Sequence, residues 1–458
     1  MGRAPVLGGL PPYGRDMRDR PRLWRSPLRG TRFTAVLGLV LLGGITVLFV
    51  TGLVSYAAYN PDLSPVNDTT PDKGLLGFYL FAWPAGPSWL YRLTQGVHVT
   101  LGVTLVPVLL AKLWSVVPKL FALPPARSLA HALERLSLLL LVGGGLFEFT
   151  TGLLNIQLEY VFPGSFYPLH FYGAWVFLSA FVVHAALKTP VAVRSVRSLR
   201  AVRSPREGER VAAGRPADEA GVVSARPTDA AGVVSAHPAD EAGLASARPA
   251  EPTVSRRGAL RLVGASSLLL FLTTVGQSLG GPLRRTALLA PHGGADPGGG
   301  PNGFQINKTA AYAGITESET SADAWRLVVT GPAGTVRLGR ADLLRLPQHS
   351  SSLPIACVEG WSTADQWWRG VRLRDLAALA GYDTGAVDLL VESLQRHGAF
   401  RRAALRANQV SDPRSLLALY VNGEPLSLDH GYPARIIVPA LPGVHNTKWV
   451  ARLTFGDL

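Results

Sequence analysis

Four apolar stretches, at about residues 33–54, 94–117, 136–156 and 169–187, are each long enough to cross a bilayer as a helix, and a fifth covers about 260–280. A hydrocarbon core about 30 Å thick takes about 20 apolar residues of helix to cross. Within it every backbone N–H and C=O must find a partner inside the protein, which for runs of this length means helices. The chain is thereby confined to an all-α membrane bundle of four spans (33–190), a fifth anchoring span (255–281), and whatever the polar stretches can fold into. The first stretch lacks a small-residue cleavage pattern at its end, so it reads as a span and not as a removable signal peptide.

Basic residues set the orientation. Lys112, Lys119, Arg127 and Arg135 surround the loop between the second and third spans, and Lys188, Arg194, Arg197, Arg200 and Arg203 follow the fourth. The loops at 55–93 and 157–168 are nearly free of lysine and arginine. The positive-inside rule then gives one consistent topology, with a cytoplasmic N-terminus and everything after the fifth span outside the cytoplasm. The formal charge of +14 would suit nucleic acid, but its arginines cluster beside apolar runs, as membrane flanks do, and the expected partner is lipid. Residues 1–32, rich in Pro, Gly and Arg and without apolar periodicity, read as a disordered basic cytoplasmic tail.

Ionisable groups inside a bilayer are expensive, so the histidines of the spans stand out. His98 lies near the outer end of the second span and His170 at the outer end of the fourth; His184 follows about four helical turns later, and His131 precedes the third span on its inner side. Two axial pairs can be drawn, His98 with His170 outside and His131 with His184 inside, the layered arrangement that haem b needs in a four-helix bundle. The other reading is hydrogen-bonded histidines near the headgroups. Arg92, Glu148 and Tyr172, near the outer face, are also placed to line a quinone site.

Residues 191–254 change character. The unit Arg-Pro-Ala-Asp-Glu-Ala-Gly-Val-Val-Ser-Ala at 215–225 recurs at 226–236 and, loosely, at 237–247. Its proline prevents a continuous helix and its small residues offer no core, so this is a low-complexity cytoplasmic linker. Ser255-Arg256-Arg257-Gly258 then leads into the fifth run, a pattern that resembles a twin-arginine export signal placed internally.

After a Gly/Pro-rich spacer (282–301), residues 302–458 mix strands and short helices without βαβ rhythm, which argues for an α+β domain. Strands are expected at 325–329, 334–338, 353–356, 388–392 and 435–438, and helices at 342–346 and 373–379. The chain's one cysteine, Cys357, falls here. It cannot form an intrachain disulfide, so it is either buried filler or present for its chemistry, such as ligation of a soft metal as thiolate.

Four motifs decide between these. Cys-Val-Glu-Gly-Trp stands at 357–361; Asn-Gly-Glu-Pro-Leu at 422–426 is followed by His-Gly-Tyr-Pro-Ala-Arg at 430–435 and Lys-Trp at 448–449. In this order and spacing they resemble the superfamily of sulfite oxidases and protein-methionine-sulfoxide reductases, over about residues 302–458. The resemblance implies that Cys357 ligates molybdenum and that His430 and Arg435 grip the pterin and its phosphate, a task suited to an arginine fork. It also implies that Lys448 contacts the cofactor and that Asn307 and Lys308 stand at the N-terminal pterin contact. His445 occupies the place of an arginine of the sulfite oxidases, and Glu359 to Ser362 and Asn307 replace other basic positions of their anion pocket. A less basic pocket suits a neutral substrate such as a sulfoxide better than sulfite. Trp361, Trp367 and Trp368 read as packing. No Ig-like dimerisation domain follows Lys448, so the sulfite oxidase dimer is not expected. Molybdopterin is assembled in the cytoplasm, which agrees with export of a folded domain by the twin-arginine route.

The expectation is a membrane-anchored molybdopterin-dependent oxidoreductase whose exposed domain exchanges an oxygen atom and two electrons with a small molecule, with haem b or quinone in the bundle carrying electrons. Two rivals stand beside it: the same enzyme without haem, served by an external electron-transfer protein, and a non-catalytic domain that binds a partner at the cell surface.

Overall fold

The structure is a computed structural model that describes residue 28 and residues 30–59, 81–121, 128–156, 166–201, 254–279, 281–289, 301–383, 387–396 and 401–457. Most of the basic tail and of the repeat-bearing linker, and residues 290–300 of the spacer, lie outside these residues. Four long helices come first: α1 (Thr31–Tyr59), α2 (Leu90–Leu120), α3 (Leu129–Asn155) and α4 (Tyr167–Ala201). Next come α5 (Arg256–Leu272) and the short α6 (Gly276–Leu279). Five of the described helical segments are long and apolar enough to cross a membrane, the fifth being Arg256–Leu279. α1 packs on α2 and α4, α3 on α4, and α5 along α2. The seam between them is apolar: Phe33, Leu37, Leu41 and Ile45 of α1 meet Leu105, Val108 and Leu109 of α2, Phe177 of α4 and Ala259 of α5. Leucines on the outer faces, such as Leu139 and Leu268, stay exposed, as a bundle surrounded by lipid requires.

Two boundaries differ from those read in the sequence. α4 continues through Pro190 to Ala201, so the start of the expected linker is helical. The fifth run is not one helix. α5 ends at Leu272, where Thr273 caps back onto Leu269, and the chain turns through α6 and a 3₁₀ segment (Gly281–Thr286). Ser255 caps the start of α5 by accepting from the amide of Gly258 at 3.0 Å. Arg256 and Arg257 occupy its first turn, where positive charge opposes the helix dipole, so helix stability is not what they serve.

The C-terminal domain holds two five-stranded sheets. In the first, β1 (Leu327–Gly331) pairs antiparallel with β2 (Gly334–Leu338) and parallel with β10 (Val450–Phe455); β5 (Leu389–Ser393) and β6 (Arg402–Leu405) complete it. In the second, the order is β3 (His349–Leu353), β4 (Gln366–Arg372), β7 (Leu416–Val421) and β8 (Glu424–Pro425), with β9 (Arg435–Ile437) on β7. Helices α7 (Glu317–Thr320), α8 (Arg340–Arg345), α9 (Leu373–Leu379) and α10 (Ala407–Val410) fill the connections. The strand expected at 353–356 lies earlier, at His349–Leu353. Ile355 and Ala356 instead form the start of a loop held by isolated bridges of Ala356 to Ser362 and Pro442.

The bundle and the domain share a core. Ala57 and Ala58 of α1, Tyr91 of α2 and Trp83 pack with Val371, Leu417, Ile436 and Leu441 of the domain. Trp83 donates its indole N–H to Ala440 O at 2.7 Å and accepts from Asn408 and Gln409 on its carbonyl. Burying an indole with its N–H satisfied is worth several kcal/mol, roughly 3–5 by truncation to alanine, so the two parts are joined by core packing.

Candidate functional site

The 3₁₀ turn Leu428–His430 is capped by Ser427, whose hydroxyl accepts from the His430 amide at 3.2 Å. It ends at Gly431, whose φ of +107° lies in the region L side chains avoid. A Cβ there would also sit 3.1 Å from the Cβ atoms of both Arg435 and Lys448. The glycine of His-Gly-x-Pro-x-Arg therefore lets the histidine, arginine and lysine converge.

These groups form a buried cationic pocket. Arg435 is 3% exposed. It donates to His430 O and Asn446 O, each at 3.1 Å, and stacks 5.3 Å over Trp368, while its Nε has no partner among the described residues. Lys448 Nζ donates to Lys308 O and Asp429 O at 2.8 Å. Burial pushes Arg435 down to about 9, and pushes Lys448 well below the usual lysine range, helped by Arg435. His430 falls to about 2 through burial and then the charges of Arg435 and Lys448, and neither ring nitrogen has a partner among the described residues. Its ring packs on Phe304 at 3.8 Å. Buried cations held together with unused N–H donors demand an anion with several acceptor oxygens. A pyranopterin phosphate meets that demand, and these residues fit it.

Lys308 joins this pocket, half-buried, with Nζ on Gln395 Oε1 at 2.8 Å; Asn307 is exposed beside it. His445 is buried, and burial lowers it to about 4. Its ring edge meets Tyr59 at 6.4 Å, the last residue of α1.

Cys357 is 3% exposed. Its loop is a tight turn in which Cys357 N donates to Trp361 O at 2.8 Å and Gly360 N donates to Cys357 O at 3.1 Å. Burial, then the neighbouring Glu359, raises the thiol well above its ordinary range. The thiolate form therefore needs a metal to stabilise it, as a ligand cysteine does. Glu359, raised by burial to about 7, accepts from the Trp361 indole at 2.8 Å. Trp361 and Trp368 are buried packing residues, whereas Trp367 is 56% exposed.

A cavity opens beneath this loop, between the outer ends of α1 to α4. It is lined by Gly52, Gln95, His98, Gly152 and His170, and its roof includes Val358. The rings of His98 and His170 stand 6.2 Å apart. His98 Nδ1 lies 3.0 Å from Leu48 O and 3.1 Å from Thr51 Oγ1; His170 Nδ1 lies 3.0 Å from Thr151 Oγ1 and 3.2 Å from Glu148. Each threonine hydroxyl donates to a carbonyl one turn back, Val47 O or Phe147 O, so it accepts from the ring. Both Nδ1 atoms thus carry the proton, which leaves Nε2 of each ring with the free lone pair. The two threonines and Glu148's bond to His170 were not read from the sequence. The signal was there: Phe49-Val50-Thr51-Gly52-Leu53 recurs as Phe149-Thr150-Thr151-Gly152-Leu153.

The expected inner pair, His131 with His184, falls partly outside the described residues. His184 is half-buried on α4, and the side chain of His131 lies outside the described residues. Arg92 donates to Ser278 O at 2.6 Å and Leu279 O at 2.9 Å and so braces α6.

Residues 313–457 match the family described as oxidoreductase molybdopterin binding domain. The mitochondrial sulfite oxidase of Rattus norvegicus is 31% identical over 158 residues, covering 29% of this chain and 29% of that protein. The uncharacterized oxidoreductase YuiH of Bacillus subtilis (strain 168) is 33% identical over 132 residues, covering 29% of this chain and 65% of that protein. The match spans less than two thirds of either relative's length. Among solved structures, that of the sulfane dehydrogenase SoxCD from Paracoccus pantotrophus is 27% identical, covers 30% of this chain and 39% of that chain, and has a TM-score of 0.28. The C-terminal part of the chain, with its cysteine loop and its buried cationic pocket, matches the oxidoreductase molybdopterin-binding domains and is similar to sulfite oxidases.

Proposed function

We propose that this protein is a membrane-bound molybdopterin-dependent oxidoreductase that catalyses oxygen-atom transfer at an extracytoplasmic molybdenum centre, with electrons exchanged through the membrane bundle. The observation that carries this reading is Val358, which directly follows Cys357 and lines the cavity that holds His98 and His170. One residue thus separates the metal-ligand position from a two-histidine site.

Bound molybdenum–molybdopterin would supply the oxo-transfer and redox chemistry. Cys357 would hold the metal, while His430, Arg435, Lys448 and Lys308 would bind and orient the pterin and its phosphate. Beside the thiol stands Glu359, raised to about 7, with Tyr91 and the strongly depressed Lys448 within electrostatic reach. His445 is neutral at physiological pH. That setting favours a small substrate without negative charge, such as a sulfoxide.

Haem b is the group that the cavity fits. His98 and His170, with ring centroids 6.2 Å apart, would hold the haem iron, and the bound haem would supply one-electron transfer. The glycines at 52 and 152 leave the ring edges room, and the fixed Nδ1 protons aim Nε2 at a metal. A quinone or an electron-transfer protein would exchange electrons with the bundle.

The test is molybdenum analysis and visible absorbance on detergent-purified full chain, wild type and Cys357→Ser. The expected result is about one molybdenum per chain, lost or inactive in the variant, with a low-spin haem spectrum in both. No molybdenum from a host that makes the cofactor would remove the enzyme reading. Molybdenum without haem would leave the chemistry and remove the electron route.

A further inference from the structure

The loop that carries Cys357 is held less by its own domain than by the membrane segments. Gln95 of α2 donates its amide to Val358 O. Ser55 of α1 donates to Gln95 Oε1 at 2.8 Å, which fixes the amide with its N–H₂ toward the loop. On the other side Ser278 of α6 donates to Gly360 O at 2.6 Å, and Ser362 N donates to Gln277 O at 3.0 Å. Arg284 donates to Ser362 O, and Arg92 holds Ser278 O from α2. Every peptide from Val358 to Ser362 that reaches outward is thereby taken by α2 or by the segment after α5. Val99 of α2 lies directly under the Cα of Gly360.

We infer that α2 and α6 form a clasp on the backbone of the Cys357 loop, and that Gln95 is the positioning residue that sets this loop over the histidine cavity. The inference rests on the proposed reading for what the placement serves, but the clasp is a property of this chain's own residues. A loop of this kind, buried yet short of regular strand pairing, keeps one geometry only if its outward carbonyls are engaged. Leucine at position 95 keeps the side chain's bulk but cannot donate, so Val358 O is left buried and unsatisfied and the loop moves to find a donor. Ser55→Ala acts more weakly through the same amide, because it frees Gln95 to flip.

Two measurements on the full chain in detergent test this. The first is amide hydrogen exchange across residues 357–362. Gln95→Leu should speed exchange at Gly360 and Ser362 by about tenfold or more, Ser55→Ala by less, and neither should alter exchange in β1 or β10. The second is microwave power saturation of the Mo(V) EPR signal, whose relaxation is sped up by a nearby ferric haem. Gln95→Leu with unchanged molybdenum and haem content should relax more slowly than wild type. Wild-type exchange rates in Gln95→Leu would overturn the clasp, whether or not haem is present. Faster exchange with unchanged relaxation would overturn the positioning role. If wild type carries no haem, the electron-route reading fails on its own, and the exchange data still decide the clasp.

Discussion

His98 and His170 face each other across the bundle with ring planes at 87° and centroids 6.2 Å apart, each ring held through Nδ1 by a threonine that directly precedes the glycine against the ring edge. The two hairpins, α1–α2 and α3–α4, present the same device from opposite sides. A symmetric pair of this kind has no structural need for two matching threonine bonds unless the rings themselves must be aimed.

The first prediction follows from that aim. His98→Ala or His170→Ala should each abolish the low-spin haem spectrum. Thr151→Val should keep haem but shift its midpoint potential upward by tens of millivolts, because the ring loses an acceptor for its Nδ1 proton and becomes a poorer donor to ferric iron. Spectroelectrochemical titration of the purified variants reads both. A low-spin spectrum that survives His98→Ala would place the ligand elsewhere.

Arg435 supplies the second. It is buried, spends two N–H groups on backbone carbonyls and keeps Nε unused. A charge-assisted bond to a buried phosphate contributes about 1.5–3 kcal/mol, so Arg435→Gln should weaken cofactor retention by about tenfold to a hundredfold. Arg435→Lys should not restore it fully, since an ammonium lacks the planar fork and the stacking on Trp368. Molybdenum and pterin per chain after gel filtration measure the loss.

The third concerns pH. Burial holds the folded-state value of His445 near 4, against an ordinary value of 6.5. A base with a depressed folded-state value contributes stability that is present above about pH 6.5 and is lost as pH falls toward 4, because the unfolded chain binds the proton first. The size is at most about 3 kcal/mol. The thermal midpoint of cofactor-free protein should therefore drop between pH 7 and pH 4, and His445→Gln should flatten part of that slope. An equal slope in the variant would assign the effect to other groups.

Much of the domain was legible because its signals are local. Alternation and turn residues foretold β1, β2, β5, β9 and α9 to within about two residues, and the family resemblance singled out His430, Arg435 and Lys448, which the fold gathers around Gly431. The strand at 353–356 was misplaced because Leu353, Ile355 and Ala356 are apolar for a different reason: they line the base of the cysteine loop, where tertiary bridges replace a ladder. β7 was missed since both its faces are buried, which erases the alternation that marks a strand, whereas β4 alternates in burial but buries Gln366 and exposes Trp367, against the polarity from which a strand is read. The clasp was not legible at all. Gln95, Ser278 and Arg284 are ordinary polar residues near span ends, and only the fold brings them to the loop.

Gly360 gives the last prediction. Its φ is +91°, and a Cβ built there would lie 2.7 Å from the Cβ of Val99. Alanine at 360 thus carries two separable costs, about 1–2 kcal/mol for the left-handed backbone and a steric term from α2 beneath it. Only the second can be relieved from the membrane side. Gly360→Ala should lower the thermal midpoint of the full chain, and adding Val99→Gly, which removes the clashing Cβ, should recover part of the loss, with a coupling of about 0.5–3 kcal/mol in a double-mutant cycle. Val99→Gly alone empties a buried contact and weakens the helix, so it should be destabilising, and any gain in the double variant comes from the contact with residue 360. Strict additivity of the two substitutions would show that α2 does not press on the loop in the folded protein.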